Sequence, residues 1–159
     1  MSPRETPYEI LGEIALAMIL GGLIGLEREL AQKPAGLRTH MLVSATAALL
    51  VSLAGVMVQR FSLGISPAIL RFDPMGLIGA IVTGVSFLCA GTIFRMESKE
   101  RVEGLTTSAT LLMSAALGIC VALREFLLAT MVTFLVVFVV WLVGRIERRL
   151  IRDRSKNEP

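Results

Sequence analysis

The residues able to do chemistry in this sequence gather in a few short stretches. "GLEREL AQKPAGLRTH", residues 25–40, packs Glu27, Arg28, Glu29, Lys33 and Arg38 between two long apolar runs. Glu27 follows GGLIGL directly. A pair between Glu27 and Arg28 or Arg38 at a membrane interface, where partial desolvation strengthens a hydrogen-bonded ion pair, would staple the first two helices together. Glu13 lies within an apolar run, on the four-residue row that continues through Ala17 and Gly21. An acid inside a span is a functional candidate by default; the alternative is a position within reach of water, about one turn inside Glu9. Asp73 precedes Pro74, the order expected of an N-cap followed by proline at the first helical position. Its carboxylate would also suit a hard cation such as Mg2+, which takes oxygen ligands, and this makes Asp73 a weak metal candidate. In GLTTSAT, Gly104 to Thr110, either Thr106 or Thr107 could cap a helix, and Thr107 and Thr110 fall near one face.

Other chemistries lack their signatures. The single histidine, His40, falls in the loop, and no His or Cys spacing resembles a zinc site. Cys89 and Cys120 sit singly inside apolar runs, where a free thiol is the default and no disulfide follows. No P-loop, dinucleotide fingerprint or nucleophile elbow occurs, so neither an enzyme nor a bound cofactor is expected.

The elements that must position these residues are read from hydropathy. Of 159 residues, 54% are hydrophobic and 18% charged, with a mean hydropathy of +0.72. Five runs stand out: Ile10 to Leu26, Met41 to Val58, Met75 to Phe94, Leu105 to Leu123 and Phe126 to Val143. Each suffices for a transmembrane helix of about 17–25 residues. The expected class is therefore an all-α polytopic membrane protein with five spans. Only Arg124 and Glu125 separate the last two runs. One helix through both would be roughly 58 Å long, nearly twice the hydrocarbon thickness of about 30 Å, so the chain must fold back there. Residues 59–73 and 95–104 read as ordinary loops. The first run has acids at Glu9 and Glu13 and no basic leader, so it is expected to remain as the first helix rather than to be cleaved as a signal peptide.

Arg28, Lys33, Arg38, Arg95, Lys99, Arg101, Arg145, Arg148, Arg149, Arg152, Arg154 and Lys156 fall on one side of this topology; Arg4, Arg60, Arg71 and Arg124 fall on the other. The positive-inside rule then puts the amino terminus outside and the carboxyl terminus in the cytoplasm. Residues 1–144 form the expected membrane domain and 145–159 a basic cytoplasmic tail that continues the fifth helix toward anionic lipid. This asymmetry accounts for the net charge of +3, and no nucleic-acid partner is expected. In the first cytoplasmic loop Pro34-Ala35-Gly36 turns the chain and Thr39 is a candidate cap for the second helix. Trp141 reads as an interfacial anchor.

Small residues recur every fourth position: Ala17, Gly21 and Gly25 in the first run, Gly76, Ala80 and Gly84 in the third, Thr110, Ser114, Gly118 and Ala122 in the fourth. Lipid offers little hydrophobic drive for helix association, so such rows permit the close backbone contact that replaces it. Packing within one subunit is the first expectation for each row. Because a bundle of five short helices encloses little volume, a homo-oligomer, a dimer in the first place, is also expected.

GGLIGLEREL, KPAGLRTHMLVSATAALL, DPMGLIGAIVTGVSFLCAGTIF and VEGLTTSATLLMSAALG, in this order and spacing, resemble the membrane domain of the MgtC/SapB family from about Leu20 to Leu123. The chain departs at Ser86 and Cys89, where family members often carry glycine. Longer members add a cytoplasmic domain of ACT-like type, and the chain, ending at Pro159 after its basic tail, reads as a short member without it. The resemblance implies a bacterial inner-membrane factor linked to growth in low magnesium and, in some members, to survival inside macrophages and restraint of the ATP synthase through helix contacts. A transporter or channel for Mg2+ is the second implication. Family positions also suggest a polar patch of Glu27, Arg38, Thr106, Thr107 and Thr110 on one side of the membrane.

Overall fold

The structure, a computed structural model, describes residues 6–62, 73–96 and 101–156, with side chains described for 6–61, 73–93 and 104–146. It contains α1 (Pro7–Leu30), α2 (Leu37–Ser62), α3 (Pro74–Thr92), α4 (Leu105–Ala122) and α5 (Phe126–Lys156). All five helices are long and apolar enough to cross a membrane. The stretch 95–104, expected as an ordinary loop, instead pairs two short antiparallel strands, β1 (Phe94–Met96) and β2 (Arg101–Glu103), with Arg95 opposite Val102. Of the expected loop 59–73, the first residues extend α2 to Ser62, and residues 63–72, including Arg71, lie outside the described residues.

Local chemistry sets the helix ends. Thr6 and Glu9 form a capping box at the start of α1, with Pro7 in the first turn. α1 stops in a Schellman turn: Gln32 takes a left-handed φ of 55°, Lys33 N–H donates to the Arg28 carbonyl at 3.0 Å and Gln32 N–H to that of Glu29 at 2.9 Å. The turn after α4 repeats the pattern. Arg124 has φ 62°, and the N–H groups of Glu125 and Arg124 donate to the Cys120 and Val121 carbonyls at 3.0 and 2.9 Å. The chain thus folds back at Arg124, where charge meets the only break between two apolar runs.

Two expected caps are corrected. α2 begins at Leu37, ahead of Thr39, and its first amide donates to the Glu29 carboxylate at 2.8 Å. α4 is capped by Gly104, not by Thr106 or Thr107, with φ 94° and no side-chain cap bond. A Cβ at Gly104 would run into the Thr92 carbonyl, so both backbone sign and space select glycine there. Asp73 does cap α3, accepting from Met75 N–H at 3.0 Å.

α4 is the hub. It packs against α1, α2, α3 and α5, whereas α1 and α2 share the most extensive interface. Ala17, Leu20 and Ile24 of α1, Ala48 of α2, Leu117 and Val121 of α4 and Ala129 of α5 form one buried cluster. A second, of Ala47, Ile81, Val85, Leu111, Ala115 and Ile119, joins α3 to the α2–α4 pair. α3 leans on α4 and barely meets α2. Cys89 helps to seat it, with its thiol on the Ser108 carbonyl at 3.2 Å and its own carbonyl accepting from the Ser108 hydroxyl at 3.1 Å. The glycine-to-cysteine departure therefore lies at a working helix contact, while Ser86 is exposed. Both cysteines are free. α5 is 31 residues long, about 46 Å, and its apolar span ends at Ile146. Near that end the Arg145 guanidinium stacks on the Trp141 ring at 5.2 Å, a cation–π contact suited to an interfacial anchor.

Candidate functional site

Apart from Thr133, which bonds the Ala129 carbonyl of its own helix, the buried polar side chains form two groups, one toward each end of the bundle. At the end formed by the start of α1 and the α4–α5 turn, Glu13 is 5% exposed. Its carboxylate receives the Arg124 Nε–H at 3.1 Å and the Ser52 hydroxyl at 3.2 Å. Arg124 reaches a second acid as well: Nη2 lies 3.1 Å from Glu9 Oε2, the oxygen that also accepts Thr6 N–H in the capping box at 3.3 Å. One guanidinium thus ties two acids, one turn apart on α1, to the α4–α5 hairpin, with α2 joined through Ser52. Its left-handed backbone is what lets Arg124 end one helix and still turn back toward α1. The intramembrane acid faces protein, and its ion-pair partner comes from the short hairpin turn, which sequence alone had not linked to it.

At the opposite end the central group is His40. Expected in a loop, it lies in the first turns of α2 and is fully buried. Nδ1 is 2.9 Å from the Gly36 carbonyl, which can only accept, so this nitrogen carries a proton. Nε2 is 3.1 Å from the Thr110 hydroxyl, seventy residues away on α4, and that hydroxyl is 2.9 Å from the Thr107 carbonyl. A neutral ring accepts at Nε2 from Thr110; a cationic ring donates to it, and Thr110 then turns its hydrogen to Thr107. The same heavy atoms serve either protonation state. Ser114 extends the chain by donating to the Thr110 carbonyl at 3.1 Å. Ser44, in the same three-helix junction, has a buried hydroxyl with no partner among the described residues.

The expected patch is divided by this geometry. Thr107 and Thr110 are buried beside His40, but Thr106 is exposed. Glu27 pairs with its neighbour Arg28, 4% exposed, at 2.7 Å. Arg38 points elsewhere, into a groove between α2 and α3, and has no ion-pair or hydrogen-bond partner among the described residues. The staple between α1 and α2 exists, but Glu29 makes it by capping Leu37. Asp73 is exposed and occupied as a cap. Among the described residues no three His, Cys, Asp or Glu side chains converge on a common metal position.

The small-residue rows also part company. A Cβ on Gly21 would come within 2.7 Å of the His40 carbonyl and of Ser44 Cβ, one on Gly25 within 2.8 Å of Gly36 O, and one on Gly118 would strike the Ser44 carbonyl. These three glycines bring α1, α2 and α4 into backbone contact around His40 and Ser44. On α3, Gly76 meets only the Asp73 side chain and Gly84 meets nothing within 4 Å.

Residues 14–149 match the family model described as MgtC family. The chain belongs to the MgtC family. It is 37% identical to Protein MgtC of Salmonella typhimurium strain LT2 over 137 residues, 86% of this chain and 53% of that protein. Protein SapB of Bacillus subtilis is 36% identical over 113 residues, 70% of this chain and 46% of the relative. A protein of Escherichia coli K12 named "Putative magnesium transporter YhiD" is 34% identical over 113 residues, 71% of this chain and 50% of the relative. The chain thus spans about half the length of these curated relatives. No solved structure matches it. With five apolar helices and bacterial MgtC relatives, it is a multi-pass protein of the bacterial inner membrane. The MgtC-family match begins at Ile14, so it takes in Ser52, Arg124 and the His40 end but not Glu9 or Glu13; reading the sequence missed His40, Ser44, Ser52 and Glu29. For His40 a signal was present: with a helix starting directly after Gly36, His40 falls four residues before Ser44 on one row.

Proposed function

We propose that this MgtC-family protein is a regulatory membrane protein of adaptation to low magnesium, acting through helix contacts with other membrane proteins. One observation carries the reading. The two polar ends, around Glu13 and around His40, are separated by a packed apolar layer of Ala17, Leu20, Ile24, Ala48, Leu117 and Val121. Ion pathways line their interior with ionisable groups or carbonyls, and this layer supplies neither within the single bundle. The lipid-facing residues of α3 and α5, such as Phe87 and Leu127, offer wide apolar surface to a neighbouring helix. A complex such as the ATP synthase is the kind of partner meant, with a homodimer as the expected form and survival inside host cells as one setting.

The proposed orientation has the amino terminus outside. Arg124, one of the few basic residues on that side, is matched by Glu9 and Glu13, which sharpens the basic bias of the other side. Reporter fusions at Pro159 and within residues 95–104 should both report the cytoplasm; opposite faces would refute the topology. The second reading, transport of Mg2+, draws on the name of the Escherichia coli relative and on the exposed Asp73 carboxylate. Reconstitution in liposomes separates the two. Absence of Mg2+ flux together with co-purification of a membrane complex, weakened by Glu27→Gln or Arg38→Ala, supports regulation; robust flux abolished by Asp73→Asn supports transport.

A further inference from the structure

We propose that the α2–α3 groove binds one acyl chain of an anionic phospholipid, with the lipid phosphate on Arg38. The groove exists because α3 rests on α4 and stands off from α2. It encloses about 660 Å³, within the roughly 300–1,000 Å³ of ligand pockets. Its floor is apolar, built from Ala47, Ile81 and Val85, all at least nine-tenths buried. Along α2 it runs from Arg38 to Leu50, about 18 Å at about 1.5 Å per residue. That is close to one leaflet, half of a hydrocarbon core of about 30 Å. Beyond Leu77, in the first turn of α3, the same seam shrinks to a recess of about 190 Å³.

Charge identifies the occupant. Arg38, exposed at the rim, is the one charged side chain among the described residues that line the groove, with Thr39 beside it. No described carboxylate pairs with it: Glu27 holds Arg28, and Glu29 holds the Leu37 amide. A guanidinium at the end of a one-leaflet apolar channel matches a phosphodiester attached to a hydrocarbon chain, by shape and by bidentate hydrogen bonding. A partner helix fits less well. It carries no phosphate and would have to bring a carboxylate to the same rim to serve the Arg38 guanidinium. A second copy would meet the same need with its own Glu27 and Glu29 already engaged by Arg28 and the Leu37 amide.

Native mass spectrometry of the full chain, equilibrated with mixed phosphatidylglycerol and phosphatidylcholine micelles, tests this. The unaltered protein should retain one phospholipid with about a fivefold preference for phosphatidylglycerol, the effect of about 1 kcal/mol for one basic residue near an anionic lipid surface. Arg38→Gln should abolish the preference. Gly84→Leu should empty the groove without disturbing the fold, because a Cβ at Gly84 meets nothing within 4 Å; Gly79→Leu, equally unobstructed but outside the groove lining, should retain lipid. Equal occupancy in Gly84→Leu and Gly79→Leu, or no headgroup preference in the unaltered protein, overturns the proposal. So does a lipid-free dimer that Gly84→Leu alone converts to monomer, an outcome that would assign the groove to a second copy.

Discussion

Gly118 and Gly84 stand on rows of the same four-residue spacing in adjacent helices, yet their surroundings are opposite. Gly118 presses against the Ser44 carbonyl at the junction of α1, α2 and α4, and Gly84 looks into open space between α2 and α3. At the junction the missing side chains let backbones touch and bury His40, Ser44, Thr110 and Ser114. Along the α2–α3 seam the same device leaves a channel. A small-residue row is therefore permission for close approach, and whether approach occurs depends on what the facing helix brings. α2 meets α4 with Ser44, Ala47 and Ala48, whereas its Leu42, Val43, Thr46 and Leu50 line an open seam toward α3, which rests on α4 instead.

The contrast can be broken most severely at Gly118. Gly118→Leu should prevent stable assembly of α2 on α4, since overpacking costs about 1–3 kcal/mol or more and the obstruction is main chain rather than a movable side chain; expression and thermal unfolding in detergent will show it. Next is Arg124→Met, which leaves Glu13 buried without its guanidinium. Because Arg124 is itself 38% exposed, the loss should be nearer about 2 kcal/mol than the larger values of fully buried pairs. Adding Glu13→Gln should recover part of it, a coupling that a double-mutant cycle in denaturation assays would quantify. Thr110→Val removes the partner of His40 Nε2 and should cost about 1 kcal/mol, the usual scale for a hydrogen bond between membrane helices. Smallest is Gly84→Leu, whose stability should match that of the unaltered protein within about 0.5 kcal/mol. If Gly84→Leu destabilised as much as Gly118→Leu, the two seams would be alike and the contrast would be lost.

Hydropathy made most of the architecture legible, because a bilayer demands long apolar helices and expels charge to their ends. The fold-back at Arg124 and the Asp73-Pro74 start of α3 follow from such one-dimensional rules, as does the inward direction of Glu13 from its place on the Ala17 row. The pairings were harder to read. The cap of α2 comes from Glu29, eight residues upstream, outside the window in which Thr39 seemed the natural choice. Gly104 displaced the neighbouring threonines as the cap because its backbone sign and the Thr92 carbonyl decide the matter. Pro34-Ala35-Gly36 marked a turn but not how soon the helix resumes, so His40 was left outside it. Thr107 and Thr110 were correctly placed on one face, but their partner is seventy residues away and no spacing rule reaches it. The divergence of the Gly84 and Gly118 rows depends on helix neighbours, which a single sequence does not state.

The tie between Glu13 and Arg124 spans 111 residues of chain. With translation at about 5–20 residues per second, the acid leaves the ribosome on the order of ten seconds before its partner is made. During that interval the carboxylate of the nascent first span lacks its guanidinium, and the tie between α1 and the α4–α5 turn closes only when the last hairpin joins the bundle. The ion pair is therefore a late-closing latch: the first span enters on its apolar residues alone, and its fixed place beside the final hairpin is set only at the end of synthesis.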